Sequence, residues 1–275
     1  MAKRHFGNIV GLVGALGALV ATSWALVCCS SDPSSDAVPE NAVDAAVVET
    51  SVDAAVEPPV DAAVDSPREV QRLVILPLGD SITEGLRTTT ASGYRAELWN
   101  RMLGLSGYSF DFVGSLRSGQ LPDGDHEGHS GWRIDQLTAK IDGWLATYKP
   151  NIVLLHIGTN DMAKDYELAT APDRLGTLID KIAADVPGVT IVVAQIVPTK
   201  DATISKRVEA FNSAIPAMVQ SKVSQGKKVR VVDMYHALGN ADLSDTLHPN
   251  ESGYSKMASV WYSDLERILA EDGRK

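Results

Sequence analysis

Residues 70–275 contain no cysteine: Cys28 and Cys29, the two in the 275-residue chain, both fall near its N-terminus. That absence excludes a disulfide framework, a thiol nucleophile and a thiolate zinc site from this region. Its fold must hold by an apolar core alone, and a stretch of this length suffices for one. Basic residues are also short, 25 against 35 acidic, for a net charge of −10. Phosphate binding needs clustered Lys and Arg, so nucleic acid is excluded as a partner. Hydrophobic residues make up 44%, an ordinary globular share that excludes collagen, a coiled coil and wholesale disorder.

The charge is unevenly placed. Residues 32–69 hold ten acids against Arg68, residues 1–31 hold only Lys3 and Arg4, and residues 70–275 hold 25 acids against 22 bases, a net −3. Most of the acidity thus lies in a short segment that repeats a Val-Asp-Ala-Ala-Val unit at Val43, Val52 and Val60. Its like charges and Pro39, Pro58, Pro59 and Pro67 predict an extended, solvated tether over 30–69. Before it, Lys3 and Arg4 precede an uncharged stretch from Ile9 to Val27, the pattern of an export signal over 1–29. Leu26-Val27-Cys28-Cys29 resembles a bacterial lipobox with Cys29 lipidated, although Cys28 stands where a small residue is usual. A retained helical anchor and plain secretion are the alternatives. Each places the folded part, residues 70–275, outside the cytoplasm of a bacterium, as an envelope lipoprotein or a secreted protein.

Four apolar runs rich in branched residues, Leu73–Leu78, Ile152–Ile157, Val189–Val197 and Val229–Val232, are continuous rather than alternating. That predicts strands buried on both faces of a parallel sheet, with Phe110–Val113 as a fifth. Between them, Tyr94, Leu98, Trp99, Met102 and Leu103 share one helical face, as do Leu175, Leu178, Ile179 and Ile182, and a closing helix is expected from Ser252 to about Leu269. Strands alternating with helices predict a three-layer α/β domain whose chemistry sits beyond the C-terminal strand ends.

Three segments at such ends carry candidate chemistry. Leu73–Leu78 runs into Gly79-Asp80-Ser81-Ile82-Thr83-Glu84-Gly85, which exposes a serine on a glycine-flanked turn where helix capping is the simpler role. Gly158-Thr159-Asn160-Asp161 offers an uncharged N–H donor suited to an oxyanion, or a capping turn. In Asp245-Thr246-Leu247-His248, an Asp three residues before a His can fold back and fix its tautomer. Each alone is weak; together they supply nucleophile, donor and base with its orienter.

These three segments resemble the SGNH (GDSL-type) hydrolases, a superfamily named for its Ser, Gly, Asn and His. The pattern maps onto Ser81, Gly114 (in Phe112-Val113-Gly114-Ser115, with Gly119 nearby), Asn160 and His248, with Asp245 completing a triad. The match covers residues 73–265 with its blocks in order. It implies the SGNH hydrolase fold, an α/β/α sandwich on a flavodoxin-like five-stranded parallel sheet, and an esterase mechanism. In that mechanism His248 activates Ser81, and Ser81, Gly114 and Asn160 hold the oxyanion. Asp123 to Ile134, together with Leu76 to Thr83, further resembles carbohydrate esterase family 3, typically acetylxylan esterases. That implies an acetylated polysaccharide as substrate, and the mechanism requires no metal or organic cofactor. Membrane contact is expected only through the N-terminal lipid or helix anchor, and the protein is expected to be a monomer.

Asp80, His129 and Trp132 are candidate substrate contacts, although Asp80 and Asp161 suit local turns better than contact with substrate. The segment around His126 and His129 is glycine-rich and reads as a loop, which the family resemblance implies shapes the pocket rim, with a calcium site at Asp123 and Asp125 as the rival. His156, mid-strand, reads as a satisfied core histidine. The competing functions are a lysophospholipase or acyl-thioesterase, against which the sequence offers no obvious acyl channel and only 6% aromatics, and a non-catalytic binding module.

Overall fold

The computed structural model describes residues 70–271 and Gly273. The expected export segment, Cys29 and the acidic tether lie outside the described residues. Along the described chain, β1 (Gln71–Asp80) leads into α1 (Ser81–Glu84) and α2 (Tyr94–Met102). Three strands follow, β2 (Tyr108–Phe112), β3 (Leu116–Arg117) and β4 (Asp125–His129), then α3 (Ile134–Thr138) and α4 (Ile141–Tyr148). The second half alternates: β5 (Ile152–His156), α5 (Thr159–Ala163), α6 (Ala171–Asp185), β6 (Thr190–Gln195), α7 (Ala202–Ser224), β7 (Val229–Asp233) and α8 (Glu251–Glu271).

The five expected strands form a parallel sheet in the order β2-β1-β5-β6-β7. Their continuous apolar runs serve two cores at once. In β5, Val153 and Leu155 face one core while Ile152 and Leu154 face the other, and β6 splits the same way at Ile191, Val193 and Val192, Ala194. The first core is closed by α3, α4, α6 and α7, through Leu137, Leu145, Leu178 and Ile215 among others. The second is closed by α2 and α8, where fully buried Trp261 packs 5.9 Å from the Tyr94 ring. Full burial of side chains of this size stabilises by about 1.5–3 kcal/mol each. Leu103 departs from its expected face: it lies just past the end of α2 and is 66% exposed.

The sheet is larger than expected. β4 pairs in parallel with the C-terminal end of β1 (Leu78↔Glu127, Gly79↔Gly128, Asp80↔His129), and short β3 adds antiparallel to β4. Strands β2 and β4 therefore share one edge of β1, β2 taking Gln71–Ile75 and β4 Leu78–Asp80. Pro77, which has no N–H for a ladder, falls in the gap between them. The glycine- and histidine-rich segment read as a rim loop is thus a strand, and its buried side chains are polar: His126 and Glu127 are 1% and 0% exposed. Burial met by hydrogen bonds leaves no apolar signature, so hydropathy was silent there.

Candidate active site

β1 ends at Asp80, whose extended backbone lets its Oδ1 accept the Ile82 N–H at 2.9 Å and cap α1. Ser81 is therefore the first residue of that helix, at the C-terminal edge of the sheet. Its Oγ lies 2.9 Å from His248 Nε2. His248 Nδ1 is 3.0 Å from both Asp245 oxygens, and Asp245 Oδ1 also accepts the N–H groups of Leu247 and His248 at 2.9 and 2.8 Å. With Nδ1 donating to the carboxylate, Nε2 is left to accept from the serine. Burial alone would raise the Asp245 pKa, but the two backbone N–H groups and the imidazole outweigh it and hold the carboxyl well below its ordinary value. The loop is pinned from beyond β6, where the Thr199 hydroxyl and the Lys200 N–H donate to the Thr246 carbonyl at 2.8 and 3.0 Å.

The opposite side of Ser81 is organised by β4. Gly114 follows the end of β2 and passes so close to His126 that a β-carbon would overlap that residue's backbone. Ser115 donates its N–H and hydroxyl to Glu127 at 2.5 and 3.0 Å, and His129 Nε2 lies 2.8 Å from the same carboxylate. Asn160, in the first turn of α5, donates Nδ2–H to the Trp132 carbonyl at 3.0 Å and faces Asp80 Oδ2 at 3.4 Å. Burial pushes the Asp80 carboxyl up to about 7, against the lowering effect of the Ile82 N–H. Asp161 is also buried, and burial raises its pKa; it accepts Arg174 at 2.5 Å and the Ile134 N–H at 3.2 Å, a local structural role as expected.

Ser81, His248 and Asp245 are thus brought together; Asn160 reaches Asp80, the residue before Ser81, and Gly114 packs on β4, which pairs with the end of β1. Other expectations need correction. Asp80 is fully buried with its carboxylate turned inward, so it offers no surface to a substrate. His129 stacks on Trp132 and Trp144 at 4.2 and 4.9 Å, so one face of Trp132 is already covered. Asp123 accepts the Phe112 and Asp125 N–H groups, Asp125 pairs with Arg117 at 2.7 Å, and among the described residues no group of three His, Cys, Asp or Glu could hold a metal. His126 is a neutral structural group, lowered to about 3 by burial, with Ser118 and the Gly128 N–H on its two nitrogens. His156 is only half satisfied: Nε2 accepts the Val197 N–H, while Nδ1 is buried without a partner.

Three residues with work at the site escaped the sequence reading: Glu127, Arg87 and Arg95. Arg95 is buried on the apolar face of α2 beside Tyr94 and Leu98, and its guanidinium binds the carbonyls of Thr83, Glu84, Ala91, Ser118 and Gly124. A charge on an otherwise apolar helical stripe was the available signal. Arg87 donates Nε–H to Asp245 Oδ2 at 2.8 Å across 158 positions of chain, a contact no local pattern announces.

The GDSL-like Lipase/Acylhydrolase family model matches residues 78–256. An Acetivibrio thermocellus protein provisionally named endoglucanase X is 38% identical over 143 residues, half of this chain and 61% of its own length. A multidomain esterase of Ruminococcus flavefaciens is 31% identical over 234 residues, 72% of this chain but 29% of its own. The chain therefore spans less than two thirds of either curated relative. A solved Clostridium thermocellum family 3 carbohydrate esterase is 39% identical with a TM-score of 0.65, covering 73% of this chain and 100% of its own.

Proposed function

From the premise that the chain belongs to the GDSL-like lipase/acylhydrolase family, we propose that it is a serine esterase removing O-acetyl groups from an acetylated polysaccharide, xylan foremost. The observation that carries this reading is the unbroken series Ser81 Oγ, His248 Nε2 and Nδ1, and Asp245, at 2.9 and 3.0 Å on the C-terminal edge of the sheet. His248 takes the hydroxyl proton as Ser81 attacks the ester carbonyl, and Asp245 stabilises the imidazolium. The N–H groups of Ser81 and Gly114 and the Asn160 amide hold the oxyanion. Asn160 has a hydrogen to give, since its 3.4 Å approach to Asp80 is weak and readily exchanged for a charged acceptor. The sugar hydroxyl leaves with the proton from His248; water, deprotonated in turn by His248, then releases acetate from Ser81.

Similarity to a family 3 carbohydrate esterase and to a multidomain esterase supports a carbohydrate ester over a lipid one. The test is acetate release from acetylated xylan, pectin and chitin oligomers, with Ser81→Ala as control. Xylan is expected to be fastest, and the variant to lose roughly 10³-fold or more in kcat. A preference for p-nitrophenyl octanoate over acetate would overturn the carbohydrate reading, and near-native activity of Ser81→Ala the mechanism. The same reading places the enzyme outside the cytoplasm, held through residues 30–69 by lipid on Cys29. Loss of palmitate labelling in Cys29→Ala tests that anchor.

A further inference from the structure

We propose that Arg87 is a positioning residue for the Asp245–His248 pair, fixing the outer carboxylate oxygen and seating a positive charge beside the pair; this rests on the esterase reading above. Three sets of contacts meet at it. Residues 85–93 leave α1 and return beside it, so closely that a β-carbon on Gly85 would overlap the Gly93 backbone. The segment is thus a small Ω-loop with touching ends. Its base is held by buried Arg95, which donates to the carbonyls of Thr83, Glu84 and Ala91 at 3.0, 3.0 and 3.3 Å. Its tip is tied to α8: the Tyr254 hydroxyl donates to the Leu86 carbonyl at 2.8 Å, and the Thr89 N–H and hydroxyl donate to Glu251 at 3.0 and 3.2 Å.

Between those two ties Arg87 sits at φ 70°, a left-handed conformation that is costly for so large a side chain. Such strain persists where the surroundings over-determine it, as the Leu86 and Thr89 ties do here. Its product is a cation seated on the carboxylate that orients His248.

The chemical consequence follows from the distribution of donors. Asp245 Oδ1 takes the Leu247 and His248 N–H groups, Oδ2 takes Arg87, and the imidazole Nδ1 faces both oxygens. Without Arg87, Oδ2 has only the imidazole, and rotation of the carboxylate is restrained from one side. The charged and titratable groups around the pair are Arg87 from the Ω-loop, Glu251 and Tyr254 from α8, Asp80 at the end of β1, and Lys200 beyond β6, whose Nζ donates to the Leu243 carbonyl at 2.8 Å. Of the two cations, Arg87 is the one bonded to the Asp245 carboxylate. His248 must be neutral to accept the serine proton, and a nearby positive charge disfavours imidazolium. The Arg87 side chain is 57% exposed, so its field is open to screening by salt.

The test is the pH dependence of kcat/KM for p-nitrophenyl acetate, whose acid limb reports the base of the free enzyme. The full chain is compared with Arg87→Gln and Arg87→Lys at low and high salt. Arg87→Gln is expected to lose about 5–20-fold in kcat with KM within about twofold. Its acid limb should move up by about 0.3–1 pH unit at low salt and less at 1 M, where the screening length is ~3 Å. Arg87→Lys should restore the limb but only part of kcat, because it keeps the charge and loses the planar fork. In an Asp245→Asn background, Arg87→Gln should add little further loss. An unmoved acid limb in an active enzyme overturns the proposal whatever happens to kcat, as does full additivity with Asp245→Asn. A wild-type chain inactive on every ester overturns the esterase reading itself.

Discussion

On the esterase reading proposed above, the acid–base half of the site is carried by one short loop, Asp245 to His248, whose Asp-x-x-His turn supplies hydrogen bonds of its own and meets solvent, with Asp245 34% exposed. The proposed oxyanion half is assembled from separate segments: Gly114 after β2, Asn160 in α5, and β4 with Trp132 beyond it, joined through Glu127, Asp80 and the Trp132 carbonyl, mostly out of water. A proton relay needs two groups at one distance, which a four-residue turn can provide. An oxyanion site needs donors converging from different directions, which requires several chain segments to be fixed at once. The first half is thus locally encoded and the second is a property of the fold. Substitutions in the two halves should therefore differ in what they cost.

Asp245→Asn should give the larger loss, about 10³–10⁴-fold in kcat, because the imidazole loses the charge and tautomer control it depends on. Its melting temperature should fall by no more than about 4 °C, since water screens the lost charge at this partly exposed carboxylate and the loop retains its ties to Thr199 and Lys200. Asn160→Ala should follow at about 10²–10³-fold. Glu127→Gln sharpens the contrast. Its new amide must either face the Ser115 N–H, which can only donate, or force the Ser115 hydroxyl and His129 to turn from donors into acceptors, in a site closed to water. The substitution should cost roughly 1–3 kcal/mol of stability or more and about 10–100-fold in kcat through displacement of the Gly114–Ser115 segment. Steady-state kinetics alongside calorimetry would check all three. A Glu127→Gln protein as stable as wild type, or an Asp245→Asn protein that melts early, would erase the distinction between the halves.

The same division governs what could be read from the residues alone. The sheet was legible because strands buried on both faces must be apolar at every position, as Ile152–His156 nearly is and Thr190–Gln195 is over Ile191–Ala194. Asp245 and His248 were legible because their contact is local. Strand β4 was not, since Asp-His-Glu-Gly-His has neither alternation nor branched residues; its order comes from the β1 edge and from polar partners distant in the chain. Asp80 was legible in part: the turn role read for it is the cap on Ile82, whereas only the packed fold reveals that Asn160 and burial claim its other oxygen and leave none for a substrate.

Asp80 and Asp245 also set the two halves against each other in their response to pH. The Asp245 pKa is lowered on folding, so its stabilisation is present above the ordinary carboxylate value of 3.8 and fades on acidification. The Asp80 pKa is raised to about 7, so the folded protein binds that proton more tightly than the unfolded chain does. Its contribution is complete below 3.8 and is lost as pH climbs through 7. His126 and His156, lowered to about 3 and about 4, act in the Asp245 direction, losing stability as pH falls below 6.5. The net curve therefore mixes opposing slopes, and a substitution is needed to isolate one. Asp80→Asn keeps an oxygen to cap Ile82 but has no proton to lose. Its melting temperature relative to wild type should rise on going from pH 5 to pH 8, by something on the order of 3–6 °C. A difference that stays flat across that range would mean that Asp80 is already ionised at pH 5, and that the oxyanion half carries the same kind of carboxylate as the acid–base half.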